Sequence, residues 1–325
     1  MPQVYLTPDQ RTVDCRPDET LLAATLRHGI DHAHACGGNA RCSTCRVVIL
    51  AGNEHCSPRE GEEAALSRQL NFPGNMRLAC QTRVSGDVQV RRFVVDELDY
   101  QLVLTQRERF MAGNQLGEVK RVAILFADIN GYTPFAESLP PYDVVHVISR
   151  YFHLMGNVVK EYGGQILDYY GDGFMACFGL AESEGAALRS VRAGLQLFAA
   201  LESLNGYLNK VYGRTFRIRV GVNYGEVIWS KIGIQDMEKL AAIGDAVNLA
   251  SRIEQANKQL GTHFLISEDA YREVEQEVCI KGVFEVNLKG KHGQYRLYEV
   301  TGLSRSGFVP APAERKGSAV GLKVK

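Results

Sequence analysis

The sequence predicts an α+β protein with two domains, and three observations lead to this prediction. A chain of 325 residues is too long for one core of typical size. Short apolar runs of strand length alternate with longer stretches that have the helical period. Four of the eight cysteines cluster in the N-terminal third, whereas the other four are scattered singly. The N-terminal part therefore differs in chemistry from the remainder.

Composition and charge argue against several classes of protein. The chain has 37 basic and 37 acidic residues and a formal net charge of zero, so no global field favours nucleic acid or a membrane surface. The N-terminus lacks the charged-then-apolar pattern of a signal peptide. No stretch approaches the about 18 consecutive apolar residues of a membrane span. We therefore expect a cytoplasmic protein with no nucleic-acid partner and no membrane span.

The pattern of residues 1–95 predicts a small β-grasp domain. The segments VYL and RTVDC alternate like the strands of a hairpin, and DETLLAATLRHG predicts a short helix that ends at Gly29. SPREGEEAAL predicts a second helix, with Ser57 as N-cap, Pro58 at the first helical position and Glu60 completing a capping box. GDVQVRRF supplies a closing strand.

The cysteine cluster has a distinctive spacing: five residues separate Cys36 from Cys42, two separate Cys42 from Cys45, and 34 separate Cys45 from Cys80. Without a secretion signal, clustered cysteines are more often metal ligands than disulfides. Four thiolates suit a 2Fe–2S cluster and also a tetrahedral zinc ion. Zinc sites favour two short Cys-x₂₋₄-Cys pairs, and only one is present. The spacing therefore favours the cluster over zinc.

With this spacing, residues 1–95 resemble a 2Fe–2S ferredoxin domain, closer to the adrenodoxin-like branch than to the plant form. The resemblance implies a 2Fe–2S cofactor held by Cys36, Cys42, Cys45 and Cys80. His32 and His34 precede the first of these cysteines. Because all four ligand positions are filled, we expect both to be loop histidines that at most tune the potential.

Two segments have no predicted core. Residues 96–118 form a connector, either a short helix or an extended segment, without the Pro-, Gly- or Ser-rich tract of a flexible tether. Residues 303–325 are rich in small, proline and basic residues and predict a disordered tail. The second domain is therefore predicted over residues 119–302.

The second domain begins with RVAILFADI, an apolar run of strand type with Asp128 near its end. A helix then extends to Tyr162 and stops at Gly163. QILDYY and FMACFG flank a Gly-Asp-Gly turn with Asp172 at its tip. This order places both aspartates on neighbouring strand ends of an antiparallel-rich sheet. Later elements are predicted as a helix at 184–210, strands in FRIRVGVNYGEVIW, a helix at 245–260 and a strand in QYRLYEV.

These elements carry residues that suit phosphoryl transfer. Two converging carboxylates, Asp128 and Asp172, can hold paired Mg²⁺ ions. Asn248 and Arg252 are four residues apart, so one helix face projects both. With these motifs in this order, the chain from about Lys120 to about Thr301 resembles the class III nucleotidyl cyclase domain, the family of adenylate and guanylate cyclases.

The resemblance implies a ferredoxin-like βαββαβ core and formation of a 3′,5′-cyclic purine nucleotide from ATP or GTP with release of pyrophosphate, using two Mg²⁺ or Mn²⁺ ions per site. In this family the metal aspartates and the Asn/Arg pair of one site come from different subunits, which implies a homodimer with shared sites. The implied roles are metal binding by Asp128, Ile129 and Asp172, transition-state contacts by Asn248 and Arg252, and polyphosphate binding by Lys289.

Two positions bear on the purine base. Family members that use ATP usually have lysine four residues before the second metal aspartate, and those that use GTP usually have glutamate; this chain has Asp168. The partner position, seven residues before Asn248, is Ala241. A carboxylate can accept hydrogen bonds from guanine but meets an acceptor on adenine. Chemistry thus favours GTP and the family habit favours ATP.

Two classes of function follow. The chain is either a cyclase whose output depends on the redox state of the attached cluster, with a possible redox partner, or an electron-transfer ferredoxin whose cyclase-like domain only dimerises or binds nucleotide. The intact set of Asp128, Asp172, Asn248 and Arg252 favours the enzyme. A purely structural cluster stays open as a third possibility.

Overall fold

The computed structural model of the chain describes residues 1–7, 9–99, 101–102, 105, 117–233, 238–291 and 293–304. Of these residues, those within 1–116 and 233–238 form one compact unit, and those within 117–232 and from 239 onward form another. In the connector, residues 97–99 and 101–102 are helical. Residues 106–116 of the connector and residues 305–325 of the predicted tail lie outside the described residues. None of the described helices is long and apolar enough to cross a membrane.

The first unit is built on a mixed five-stranded sheet. Its strands are β1 (Gln3–Leu6), β2 (Arg11–Asp14), β3 (Arg46–Ala51), β4 (Met76–Leu78) and β5 (Val88–Arg92), in the order β2-β1-β5-β3-β4. The first strand pairs in parallel with β5 and antiparallel with β2. The unit also contains helices α1 (Leu21–Arg27) and α2 (Gly61–Gln69). The predicted hairpin, first helix and closing strand are present.

The second helix begins later than the sequence predicts. Its N-cap is Glu60, whose side chain makes no capping hydrogen bond. The Ser57 hydroxyl instead accepts a hydrogen bond from the Arg83 N–H at 3.1 Å, and the Ser57 N–H donates to the Arg83 carbonyl at 2.8 Å. The capping box was therefore a wrong prediction, because Ser57 is bound to a neighbouring segment.

The second unit has an α+β fold with the order β6-α3-α4-β7-β8-α5-β9-β10-α6-β11-α7-β12-β13. Its helices are α3 (Tyr132–Glu137), α4 (Pro141–Glu161), α5 (Ala186–Tyr212), α6 (Asp245–Leu260) and α7 (Glu268–Val274). Its strands are β6 (Glu118–Ile129), β7 (Gly164–Tyr170), β8 (Gly173–Phe178), β9 (Ile218–Ile232), β10 (Lys239–Ile243), β11 (Phe264–Ser267), β12 (Val278–Val286) and β13 (Tyr295–Leu303).

The sheet of the second unit has the order β12-β13-β11-β9-β6-β8-β7, and β10 pairs with β9. Within it, β6-α4-β7-β8-α5-β9 forms the predicted βαββαβ core, with its strands in the spatial order β9-β6-β8-β7. The α+β prediction is confirmed. The sequence did not predict α3, β10, β11, α7 or β12. It predicted several strands where β9 is one long strand.

The two faces of this sheet are covered differently. Helices α4 and α5 cover one face, where Tyr151, Phe174 and Leu197 are fully buried. Helix α6 packs against the other face, and its approach to β9 is very close: a Cβ atom added to Gly221 would lie 2.2 Å from the backbone nitrogen of Glu254. Helix α6 is therefore held directly against β9, the strand that pairs with β6 at Asp128.

Candidate active site and cluster-binding loop

The four predicted cluster cysteines lie together and are all buried. They form two pairs, with a hydrogen bond between Cys36 and Cys42 and another between Cys45 and Cys80. Among the described residues, no group of three or more Cys, His, Asp or Glu side chains is arranged around one metal position. A 2Fe–2S cluster distributes four thiolates over two irons, whereas zinc gathers four ligands at one point. Two pairs of cysteines correspond to the two irons of a 2Fe–2S cluster.

The loop surrounds these sulfurs with hydrogen-bond donors. Cys36 accepts hydrogen bonds from the backbone N–H groups of Asn39, Arg41 and Cys42, and Cys80 accepts one from Ala40. The Gln81 side chain donates to the Cys80 sulfur at 3.5 Å. The hydrogen bond from Cys42 lowers the pKa of Cys36 to about 5, and the one from Cys45 lowers the pKa of Cys80 to about 6. The same hydrogen bonds, and then burial, raise the pKa values of Cys42 and Cys45, so each pair favours a thiolate, the form that binds iron, on one of its two sulfurs.

The inward-facing N–H groups depend on left-handed backbone. Gly37 has a φ of 69° and Gly38 a φ of 83°, where glycine is strongly favoured. The Gly38 carbonyl accepts a hydrogen bond from the Gln81 side chain at 3.1 Å. The loop is thereby fixed to the segment that carries Cys80.

His32 lies in a loop, as expected from sequence, but its side chain is buried. Its Nδ1 lies 3.0 Å from the Thr25 hydroxyl, which donates to the Leu22 carbonyl of α1 at 2.9 Å. Burial lowers the pKa of His32 to about 4, so the ring is neutral near neutral pH. His34 contacts the His32 carbonyl through Nδ1 at 2.7 Å. Both histidines thus hydrogen-bond within the protein and link the loop to α1.

In the second unit, the structure brings Asp128 and Asp172 together. Asp128 lies near the end of β6 and Asp172 in the turn between β7 and β8, and the register pairs Ala127 with Phe174. The two carboxyl groups share a hydrogen bond, and Asp172 also accepts the Ile129 backbone N–H. Burial and then the charge of Asp128 raise the pKa of Asp172 to about 6. Two carboxyl groups this close disfavour each other's ionisation, as expected where a cation is to be held.

Two charged residues of this site were missed by the sequence analysis. Arg219 lies opposite Asp128 in the β6–β9 register and contacts its Oδ2 through Nη2 at 2.6 Å. Its Nε donates to Oε1 of Glu254 on α6 at 3.0 Å. Burial and then Asp128 raise the pKa of Glu254 to about 7, against the opposing effect of Arg219. The one available signal was an arginine inside the apolar strand RIRVGV.

Asn248 and Arg252 face away from the aspartates. At about 100° per residue, Glu254 lies roughly 120–160° around α6 from both of them, and Glu254 is the residue of α6 whose pKa responds to Asp128 and Asp172. The Arg252 guanidinium donates to the Gln255 side chain at 2.9 Å. Within the part of the chain that the structure describes, no hydrogen bond or ion pair joins Asn248 or Arg252 to either aspartate. One chain therefore presents the predicted site as two halves.

The predicted base-reading residue, Asp168, has a partner that the sequence analysis missed. Its Oδ2 accepts a hydrogen bond from the Lys239 ammonium at 2.8 Å, and both side chains are about half exposed. Lys239 precedes Ala241 by two residues on β10, so the two side chains project from the same side of that strand. Lys289 is exposed in the loop after β12.

The residues around Asp128 fit divalent cations. The carboxylates of Asp128 and Asp172 and the backbone carbonyl of Ile129 offer only oxygen atoms, which Mg²⁺ and Mn²⁺ prefer. On α4, the fully buried Tyr151 hydroxyl has no hydrogen-bond partner. Burial and then the charges of Asp128 and Asp172 raise the pKa of Tyr151. An unsatisfied hydroxyl beside excess negative charge fits a site that is completed by cations and their water.

Comparison with known families agrees with this arrangement. Residues 115–302 match the family model of the adenylate and guanylate cyclase catalytic domain, which is more than half of the chain. The chain therefore belongs to the adenylate and guanylate cyclase family. Residues 4–85 match the model of the 2Fe-2S iron-sulfur cluster binding domain.

Individual relatives match the same region. An adenylate cyclase from Anabaena cylindrica is 32% identical over 188 residues, which cover 56% of this chain and 37% of the relative. Adenylate cyclase 1 from Rhizobium meliloti (strain 1021) is 29% identical over 188 residues, or 58% of this chain and 28% of the relative. The match thus spans less than two thirds of either relative.

Two solved structures share the fold. The guanylyl cyclase Cya2 superposes with a TM-score of 0.56 at 30% identity, covering 59% of this chain and 97% of that chain. The adenylyl cyclase CyaB from P. aeruginosa has a TM-score of 0.55 at 25% identity, covering 60% of this chain and 100% of that chain. Relatives therefore include proteins named for either purine base.

Proposed function

We propose that this chain is a class III nucleotidyl cyclase that converts ATP or GTP to the 3′,5′-cyclic monophosphate and pyrophosphate as a homodimer. The observation that carries the proposal is the divided site: Asp128 and Asp172 meet on one side of α6, and Asn248 and Arg252 project from the other. Membership of the cyclase family supports the chemistry.

In the proposed reaction, the ribose 3′-oxygen attacks the α-phosphorus and pyrophosphate leaves. Divalent cations held by Asp128, Asp172 and the Ile129 carbonyl would lower the pKa of the 3′-hydroxyl and neutralise phosphate charge. Arg252 would stabilise charge that grows on the α-phosphate oxygens, because its planar fork matches them. Asn248 would hold the ribose in line for attack.

Lys289 would act on the leaving group. Its ammonium is a compact point charge on a flexible stem, which suits the spread charge of a polyphosphate. The residue is exposed, as a contact to a substrate requires.

Two chains related by a twofold axis would complete two equivalent sites. Each site would take its aspartates from one chain and Asn248 with Arg252 from the other. A twofold axis makes such an interface self-complementary, so one surface satisfies both sites.

Mixing two inactive variants tests the divided site. Asp172→Ala removes a metal ligand and Arg252→Ala removes the transition-state cation, so each alone should lose about a hundredfold or more in turnover. With random exchange, half of the dimers are hybrid and each hybrid has one intact site of two. We therefore expect roughly a quarter of wild-type activity on mixing.

The control variant is Arg192→Ala, an exposed arginine on α5, which should retain full activity alone. Absence of complementation, with hybrid dimers demonstrated by differently tagged chains, would count against a shared site. A wild-type protein that carries a reducible cluster but turns over neither ATP nor GTP would support the electron-carrier alternative instead.

For the N-terminal unit, the proposal includes a 2Fe–2S cluster on Cys36, Cys42, Cys45 and Cys80 whose redox state regulates the cyclase in the cytoplasm. Val94, two residues before the predicted connector, packs on an apolar group formed by Ala33, Ala35, Cys36 and Cys42. Reduction adds one negative charge to the cluster, and residues packed on its loop would respond to that charge.

A second contact supports this route. The Arg46 guanidinium lies 4.7 Å from the centre of the Phe93 ring. Burial lowers the pKa of Arg46, and the charges of Cys45 and Cys42 act in the opposite direction. Arg46 is therefore placed between the cluster cysteines and the residue that precedes Val94, where it would respond to added charge.

Turnover of oxidised and dithionite-reduced protein tests the regulation. We expect the two rates to differ, and we expect the cluster-free Cys45→Ser variant to give one rate under both conditions. Equal rates for the oxidised and reduced wild-type protein would leave the cluster with a structural role or a role in electron transfer.

A further inference from the structure

The loop after β12 is attached to helix α6 by a lysine that the mechanism does not use. The Lys291 ammonium forms an ion pair with the Asp245 carboxylate and lies 3.4 Å from the Asp245 carbonyl oxygen. Only 10% of the Lys291 side chain is exposed. The Asp245 side chain is 79% exposed, so the lysine stem is covered by the protein while the carboxylate faces solvent.

The same loop is fixed at a second point. Leu288 is 7% exposed and packs with Ile253 of α6 and with Leu265 and Leu297 of the sheet. The Lys291 N–H donates to the Leu288 carbonyl at 3.0 Å and closes a turn. Lys289 lies inside this turn, between two anchored residues.

Asp245 connects the loop to the predicted catalytic face. It is the first residue of α6, and it shares one helix face with Asn248 and Arg252 at spacings of three and seven residues. The ion pair therefore attaches the turn that carries Lys289 to the N-terminal end of the face that carries Asn248 and Arg252.

We propose that Lys291 is a positioning residue that, through Asp245, holds Lys289 at a fixed place relative to Asn248 and Arg252. This inference rests on the proposed function, because that function gives Lys289 its role on the polyphosphate. A loop ordered before binding avoids the entropic cost of ordering it on the substrate, and the three residues then act on one triphosphate in a fixed arrangement.

A double-mutant cycle in the full-length protein tests the inference. Lys289→Met, Lys291→Met and the double variant are compared by KM for ATP and GTP and by calorimetric affinity for pyrophosphate. Because Lys291 acts through Lys289, Lys291→Met should weaken pyrophosphate binding about fivefold to tenfold, and the double variant should be no weaker than Lys289→Met. Additive losses, or no loss on Lys291→Met, would overturn the inference.

Exchanging the charges of Asp245 and Lys291 distinguishes a positioning role from a general loss of structure. Asp245→Lys and Lys291→Asp should each weaken pyrophosphate binding, and the combined variant should recover part of it because the ion pair forms in reverse. Lys281→Met, which removes an exposed lysine from β12, is the matched control and should change nothing. No recovery in a combined variant that unfolds at the wild-type temperature also rejects the inference.

The two proposals fail in different ways. If the wild-type protein turns over no nucleotide, but the losses of pyrophosphate affinity caused by Lys289→Met and Lys291→Met do not add, the proposed function is rejected and the positioning role is retained. If turnover is normal and the two losses add, only the positioning role falls.

Discussion

The cluster-binding loop and the cyclase site differ in how much of the site a single chain supplies. In the first unit, four cysteines separated by up to 44 positions in sequence meet as two pairs within one loop region. In the second, α6 places Glu254 towards Asp128 and Asp172 while Asn248 and Arg252 face elsewhere. Under the proposed function, the first arrangement would bind its cofactor alone, whereas the second would be completed by a partner chain.

The buried charged residues of the two units also differ in how completely they are paired. In the first unit, Glu63 and Arg77 form a bidentate pair, Glu63 also accepts the Leu78 N–H, and Arg77 also donates to the Ser57 carbonyl. That pair is balanced and fully hydrogen-bonded. In the second, Arg219 forms ion pairs with both Asp128 and Glu254, and Asp172 lies beside them. Such an excess of carboxyl groups is typical of functional sites.

The largest effect is expected for the cluster cysteines. Replacing Cys36, Cys42, Cys45 or Cys80 by serine should abolish the visible absorption of the purified protein and its content of about two irons per chain. Cys279→Ser, at an exposed position of β12, should retain both. Colour that is retained after one of the four is replaced, or stoichiometric zinc in place of iron, would contradict the prediction that these four cysteines are the ligands of a 2Fe–2S cluster.

A smaller effect is expected for the balanced pair. Arg77→Met leaves Glu63 buried without its partner, which should lower the free energy of unfolding of the first unit by about 3–5 kcal/mol. Urea unfolding followed by cluster absorbance measures this. Arg272→Met, which breaks an exposed pair on α7 of the second unit, should cost that unit less than about 0.5 kcal/mol, as measured by the fluorescence of Trp229 on β9. Similar losses for the two variants would refute the contrast between structural and surface pairs.

Features whose signals lie close together along the chain could be predicted from sequence, and contacts between distant residues could not. The helix at 245–260 was predicted with its observed bounds because its caps and period lie within the segment itself. Arg219, Lys239 and Lys291 were missed because their partners lie 91, 71 and 46 residues away. Such contacts depend on strand register and on the path of β10, which no local pattern specifies.

The partner of Asp168 changes the experiment on base preference. With Lys239, Asp168 presents an acceptor beside a donor. Adenine presents a donor, N6–H, beside an acceptor, N1, whereas guanine presents an acceptor, O6, beside a donor, N1–H. The two bases therefore complement such a pair in opposite orders. Reversing both charges, in Asp168→Lys with Lys239→Asp, should therefore shift the ATP-to-GTP ratio of kcat/KM by about tenfold to a hundredfold.

The single variant Asp168→Lys is a poorer probe, because it sets two lysines side by side. Lys239→Met keeps the carboxylate and removes only the donor, so it reports the part that Lys239 contributes. An unchanged ratio in the reversed variant, with overall activity retained, would show that this pair does not contact the purine. Base selection would then have to come from another wall of the site.

The last prediction concerns the excess negative charge at the aspartate pair. Burial and Asp128 raise the pKa of Asp172 to about 6, and burial and Asp128 raise that of Glu254 to about 7. In the metal-free protein, carboxyl groups with raised pKa values favour the folded state at low pH, and that contribution is lost as pH rises through 6 to 7. Cations bind the ionised form, so their effect has the opposite sign.

Mn²⁺ affinity should therefore fall about tenfold for each pH unit below the pKa of Asp172. The increase in unfolding temperature caused by Mn²⁺ should likewise grow between pH 5.5 and pH 7.5, about the range over which these groups ionise. Asp172→Asn should remove most of the dependence and Glu254→Gln only its upper part. An Mn²⁺ affinity that does not change with pH would mean that Asp172 is not a ligand. The proposed metal site on Asp128 and Asp172 would then be rejected.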